Sequence, residues 1–222
     1  MADKAKKPSL PQVQWKEVKR VLTLEKRPVL EMNLSWPQIV GGGRGGERIS
    51  RYYFRLAQAW QTRWGRETYW QACLDFAQAQ EQSRLFHPWT AQLSGAVLFQ
   101  DGETLSLRMD AWEIHGDGKP IQVRTGDIWK LPEGVPLPVG SYFPGRRRWR
   151  HHLIPMLQEQ GERRREAGDC FLDADFSKKL HWVISPGRCS RTAEGLEFYA
   201  PQGVLAPAAE GVVTFTFSWE SR

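Results

Sequence analysis

Gly195-Leu196-Glu197-Phe198-Tyr199-Ala200-Pro201-Gln202-Gly203-Val204-Leu205-Ala206-Pro207-Ala208-Ala209-Glu210-Gly211, closed by Val212 to Trp219, is the stretch that decides the fold. It reads as two strands joined by a small-residue connection. In the last strand Val213, Phe215, Phe217 and Trp219 face one way, and Thr214, Thr216 and Ser218 face the other. That period of two belongs to a strand with one packed face and one wet face.

Upstream, Arg147 to Glu166 is helical, with Trp149, Leu153, Met156 and Leu157 as its apolar face and Pro155 as a distortion. Phe171 to Ile184 is expected to add a strand. Leu131 to Gly145 is rich in proline and glycine and reads as a loop. Before it lies a hairpin, Leu93 to Phe99 with Thr104 to Trp112. Its Asp101-Gly102 pair predicts a tight turn with φ > 0 at both central positions. Leu105, Leu107, Met109 and Ala111 share one face of the second strand. Ile121 and Val123 suggest a further short strand.

Glu47 to Phe86 is helical. Ile49, Tyr53, Leu56, Trp60 and Trp64 recur at helix spacing, and Tyr69, Cys73, Phe76 and Ala77 form a second face. Gly65 is expected to bend or break the helix between them. The Gly41 to Gly46 loop lacks a Gly-Lys-Ser/Thr ending and reads as a strand-to-helix connection rather than a phosphate cradle. Val29 to Trp36 alternates as a half-buried strand, ended by Pro37. Val13 to Leu24 reads as a short strand or an irregular segment, and residues 1–12 as a disordered tail.

Strands, long helix, strands, helix and strands again predict an α+β fold: a mostly antiparallel sheet packed by a long N-terminal helix region and a second, C-terminal helix region. The expected organisation is a basic N-terminal segment, 1–26, and a domain at 27–219. The domain has two candidate interlocked halves, 27–130 and 131–219.

The 222 residues carry a formal charge of +6 and 11 tryptophans. The charge suits weak attraction to polyanions. No segment is long and apolar enough to span a bilayer and no signal-peptide core is present, so the expected localisation is cytoplasmic. Cys73, Cys170 and Cys189 have no metal-ligand spacing. They read as buried thiols, with a Cys170–Cys189 disulfide left open.

Catalytic motifs are missing. His151 and His152 are adjacent and would point about 100° apart on a helix, and His115 and His181 are isolated, so no metal is expected. Asp173 and Asp175 would share one strand face, and Cys170 with His181 could pair as nucleophile and base, but no third group completes either set. No cofactor is expected. The sharpest local signal is Arg146-Arg147-Arg148-Trp149-Arg150, a basic run with an aromatic that could meet an anionic group or a partner surface. Arg163, Arg164 and Arg165 follow, interrupted by Glu159, Glu162 and Glu166.

The C-terminal motif resembles that of the RsiV-like family, the outer domain of an anti-sigma factor that senses lysozyme. The same domain type also precedes the catalytic domain in some peptidoglycan deacetylases. The resemblance rests on Gly195-Leu196, Phe198-Tyr199, Ala206-Pro207-Ala208-Ala209, Gly211 and Val213 to Trp219. It extends to Trp36-Pro37, Leu105, Leu107 and Arg124-Thr125-Gly126-Asp127-Ile128-Trp129, where the family has a Thr-Gly turn. It implies an α+β binding or sensing domain without catalytic residues of its own. The family's Gly-Gly-Ala-His-Gly stretch is missing, with Ile114-His115-Gly116-Asp117-Gly118 nearby. Lysozyme is itself basic, and a +6 chain would meet it with unfavourable long-range electrostatics, so lysozyme binding is not carried over.

The expected function is a non-enzymatic intracellular bacterial binding or regulatory domain of unknown protein or ligand partner. One alternative is a nucleic-acid-binding protein using Lys4, Lys6, Lys7 and the two arginine clusters. The other is a cell-wall-related enzyme gathering Asp173, Asp175, His181 or Cys170.

Overall fold

The structure, a computed structural model, describes residues 10–143, 145 and 147–221. Lys4, Lys6, Lys7 and Arg146 lie outside the described residues. The fold is α+β, with a six-stranded sheet and a three-stranded sheet.

The larger sheet runs in chain order: β1 (Gln12–Leu24), β2 (Arg27–Val40), β3 (Trp89–Gln100), β4 (Thr104–Ile114), β5 (Ile121–Lys130) and β6 (Val135–Pro136). All neighbours are antiparallel except β2 and β3, which pair in parallel from Leu30↔Trp89 to Leu34↔Leu93. Parallel neighbours need a long crossover. It is supplied by α1 (Gly43–Arg63), a π-helical turn (Trp64–Thr68) and α2 (Tyr69–Glu81).

Where a short or irregular segment was expected, β1 is a full strand, paired with β2 from Gln12↔Val40 to Leu24↔Arg27. Its pattern was weak because it is an edge strand. Lys16, Lys19 and Arg20 stand exposed along it, a distribution that discourages pairing with foreign strands.

Gly65 does not break the helix. One π turn carries the chain through, and its extra residue resets the phase of the buried stripe. Ile49, Tyr53, Ala57 and Trp64 thus continue into Ala72, Cys73 and Phe76. Together they cover Leu30, Met32, Leu34, Leu93, Leu105, Leu107 and Met109 in the first core.

The β3–β4 hairpin forms as expected, but its turn differs. Neither Asp101 nor Gly102 has positive φ. The loop has three residues, and the Asp101 carboxylate holds it by accepting from the backbone N–H groups of Glu103 (2.9 Å) and Thr104 (2.6 Å). A side-chain acceptor replaces the left-handed backbone.

The smaller sheet is β7 (Cys189–Arg191), β8 (Gly195–Tyr199) and β9 (Thr214–Ser218), all antiparallel. Val213, Phe215 and Phe217 are buried, as the alternation predicts. They pack with Phe198 against Leu153 and Leu157 of α3 (Trp149–Glu166), forming a second core. Phe171 to Ile184 is not a strand. It holds a short helix, α4 (Phe176–Lys179), and a single 3-10 turn. It buries Leu172, Phe176, Leu180, Val183 and Ile184, the first four at intervals of four, four and three rather than two.

Gly126 marks where the two sheets meet. It sits inside β5, not in a turn. Its N–H donates to the Gly187 carbonyl at 3.0 Å, and it bridges to Arg188. A Cβ there would come within 2.7 Å of the Tyr199 ring and 2.8 Å of the Cys189 carbonyl carbon. Glycine is required by the close backbone approach. Serines extend the seam: Ser106 Oγ accepts from the Arg191 N–H at 2.8 Å, and Ser190 Oγ donates to the Leu107 carbonyl at 3.4 Å.

Candidate functional site

Beside that seam lies a cleft of about 360 Å³. Asp127 and Ile128 of β5 form one wall. The Pro136–Gly140 segment, the start of α3 and the Ile184–Gly187 loop form the others. Its size and largely apolar lining are those of small-ligand sites.

Trp149 and Arg150 enter this cleft from the first turn of α3. Trp149 is half-buried and stacks on Phe143, with ring centroids 5.5 Å apart and planes 12° apart. Gly140 lies under the indole, where a Cβ would stand 2.9 Å from Nε1. The Arg150 guanidinium lies over the Trp149 ring at 4.7 Å. Arg147 and Arg148 are exposed in the turn before the helix. Helix N-termini carry partial positive charge and free N–H groups. The first turn of α3 has no acidic residue and no side-chain cap. Arginines and helix terminus therefore add to one positive field at the cleft mouth.

Asp127 lines the same wall from β5, with its carboxylate turned to Tyr53 of α1. Its Oδ2 accepts from the Tyr53 hydroxyl at 3.0 Å, and the same hydroxyl accepts from Trp129 Nε1 at 2.9 Å. Burial pushes the Asp127 carboxyl up, against the lowering effect of the tyrosine hydrogen bonds. Tyr52 is pushed up to about 12, first by burial and then by the Asp127 charge. Tyr53 is raised for the same two reasons.

The second arginine cluster is turned to internal use. Arg164 donates to the Thr214 carbonyl at 2.8 Å, and Arg165 lies over Phe176 at 5.7 Å. Arg163 is exposed. The other sequence candidates do not assemble. Asp173 and Asp175 do not share a strand face. Both hold Lys179 Nζ at 3.0 Å, one ion triad at the start of α4. The hydrogen bond from Lys179 lowers the Asp175 carboxyl. Cys170 is buried near Arg164 and Glu210, and burial raises its thiol. His181 is exposed, with Nδ1 3.0 Å from the Lys178 carbonyl oxygen, and makes no contact with Cys170 among the described residues. His151 and His152 are exposed on α3. All three cysteines are free and buried, so the open Cys170–Cys189 pairing is not formed. Cys189 lines the cleft, but burial holds its thiol far above the usual range.

Sequence reasoning missed the buried Glu113. Its Oε1 accepts from Trp64 Nε1 (3.0 Å) and meets Arg63 (2.9 Å); its Oε2 accepts from Thr68 (3.3 Å) and lies 3.2 Å from His115 Nε2. His115 in turn stacks flat on Trp89 at 3.8 Å. The local pattern does not mark such a set, because Trp64 and Thr68, which donate to it, lie 49 and 45 residues from Glu113. Among the described residues, no group of His, Cys, Asp and Glu suits a metal ion, and no helix is long and apolar enough to cross a membrane.

No family model matches the chain, and no curated protein does. Solved structures similar in fold include two DUF3298 family proteins. A member of the DUF3298 family from Bacteroides fragilis superposes with a TM-score of 0.66 at 13% identity, covering 97% of this chain and 93% of that one. A DUF3298 family protein from Pseudomonas aeruginosa gives a TM-score of 0.61 at 11% identity, over 96% and 93%. Identities this low speak for fold alone, and the fold of this chain is the DUF3298-type α+β fold.

Proposed function

We propose that this chain is a non-enzymatic bacterial binding domain of the RsiV-like type, acting in the cytoplasm, whose partner meets it at the cleft beside Gly126. One observation carries the reading: Trp149 and Arg150, singled out by sequence, line the cleft together with Asp127. RsiV-like domains are related to the DUF3298 proteins, so the fold likeness supports the resemblance read from Gly195 to Trp219. The absence of enzyme chemistry is supported by the raised, buried thiols and by the acids bound to Lys179. A positive mouth and an apolar interior suit a partner that presents an anionic group beside an apolar one.

The test is capture of partners from bacterial lysate by the wild type and by Arg150→Glu. A protein retained by the wild type and lost by the variant supports the reading. Equal retention by both moves the contact elsewhere. A parallel salt series with single- and double-stranded nucleic acid decides the alternative. Binding that falls steeply with salt, and is lost when Arg147, Arg148 and Arg150 become alanine, would replace a protein partner with a polyanion.

A further inference from the structure

The helix-distal face of the larger sheet holds a second hollow, of about 390 Å³, which the proposed cleft does not include. Strand register places one row of side chains straight across it. Lys19 of β1 pairs with Asn33 of β2, Asn33 with Gln92 of β3, and Gln92 with Trp112 of β4. At the usual strand spacing the row is about 14 Å long. In the adjacent row Glu31 pairs with Thr90.

These six side chains are left without partners among the described residues. Asn33 Oδ1 is buried and has no hydrogen-bond partner. The side chains of Lys19, Glu31, Thr90, Gln92 and Trp112 likewise make no hydrogen bond, ion pair or ring contact among the described residues. Three other half-buried tryptophans, Trp36, Trp60 and Trp149, have ring partners. Of the unpaired atoms at the hollow the Asn33 oxygen is the buried one, and a buried polar atom left unpaired beside a hollow calls for a partner that the described residues do not supply.

We propose that this hollow is a binding site for a neutral oligosaccharide. A pyranose ring offers an apolar C–H face to an indole and a rim of hydroxyls, each both donor and acceptor. Trp112 supplies the flat apolar surface and an indole N–H. The amides of Asn33 and Gln92 each supply a carbonyl and an NH₂, the pairing that matches hydroxyls. Thr90 adds a hydroxyl. Arg20 also lines the hollow, but it pairs with the core residue Met32 and so carries its side chain on the helix face; on the hollow's own face Lys19 and Glu31 cancel, which favours a neutral ligand over a phosphate-bearing one. A peptide adding itself as a strand needs an unpaired sheet edge. Here the backbones of β2 and β3 are already paired on both sides, and the one open edge at the hollow, β1, carries exposed Lys16, Lys19 and Arg20, which oppose strand addition.

The test is titration of the full chain with maltotriose, cellotriose and chitotriose at millimolar sugar. Binding is read by tryptophan fluorescence and by side-chain amide NMR signals of Asn33 and Gln92. We expect at least one of the three to shift those amide signals. Gln92→Ala should weaken that sugar by about tenfold, the scale of one well-placed hydrogen bond. Trp112→Ala should abolish binding, and Trp112→Phe should retain part of it. Arg150→Glu, in the separate cleft, should leave binding unchanged, so this site and the proposed partner cleft fail or stand separately. Unaltered amide signals with all three sugars would overturn the proposal. So would affinity that survives both Gln92→Ala and Asn33→Ala in variants whose circular dichroism matches the wild type.

Discussion

Glu113 is the only charged side chain that is buried among the described residues, and it is held by a ring of donors. Removing it strands the Trp64 indole N–H in the core. Glu113→Ala should lower unfolding free energy by about 2–3 kcal/mol in urea titrations. Glu113→Gln keeps an acceptor for Trp64 and should be milder, because Arg63 is half-exposed and can turn to solvent. Asp127 gives the second residue-scale prediction. Its folded pKa is raised, so the unfolded chain ionises first as pH climbs. Stability from this group therefore falls as pH rises from the ordinary carboxylate range through the raised folded value. Asp127→Asn should flatten that part of the stability–pH curve. The same variant should bring Tyr52 down from about 12 in an alkaline absorbance titration, but only part of the way, since burial is the larger cause.

The β1–β2 hairpin turns on Glu25 and Lys26, with φ of 50° and 67°. Two adjacent left-handed residues form the turn that matches strand twist, and Asn-Gly suits it far better than Glu-Lys. Glu25→Asn combined with Lys26→Gly should stabilise the chain by about 1–2 kcal/mol, seen as a higher urea midpoint at unchanged slope. This turn also shows why the first strand was hard to read. It has no turn residues, and its strand has only one neighbour, so neither punctuation nor a deep apolar stripe is present. By contrast β4 and β9 were legible because each buries alternate residues from end to end, Leu105 to Ala111 and Val213 to Phe217. The stretch 171–184 misled because a few apolar residues in a short window fit either period. Trp149 and Arg150 were legible as a local run of one chemistry. Their cleft partner Asp127, and the Lys19–Asn33–Gln92–Trp112 row, arise from strand register, which single-strand patterns do not encode.

At the scale of the molecule, β5 belongs to both cores, with Trp129 in the first and Ile128 in the second. The two halves should therefore unfold together, with tryptophan fluorescence and far-UV circular dichroism giving coincident urea transitions. Gly126→Ala drives a methyl group into Tyr199 and the β7 backbone, and should lower stability by about 2–4 kcal/mol. If that variant instead leaves one spectroscopic transition in place and shifts the other, the halves are independent and the shared strand does not couple them. The seam at Gly126 also bears on how loosely the shape ties the sequence. A joint made of main-chain atoms and two small hydroxyls constrains few letters of the sequence. Core residues on either side, such as Leu107 and Phe198, take no part through their side chains in the hydrogen bonds by which the sheets meet. Chains that differ in most letters can therefore hold one shape, in keeping with a fold shared at 13% identity over nearly the whole chain.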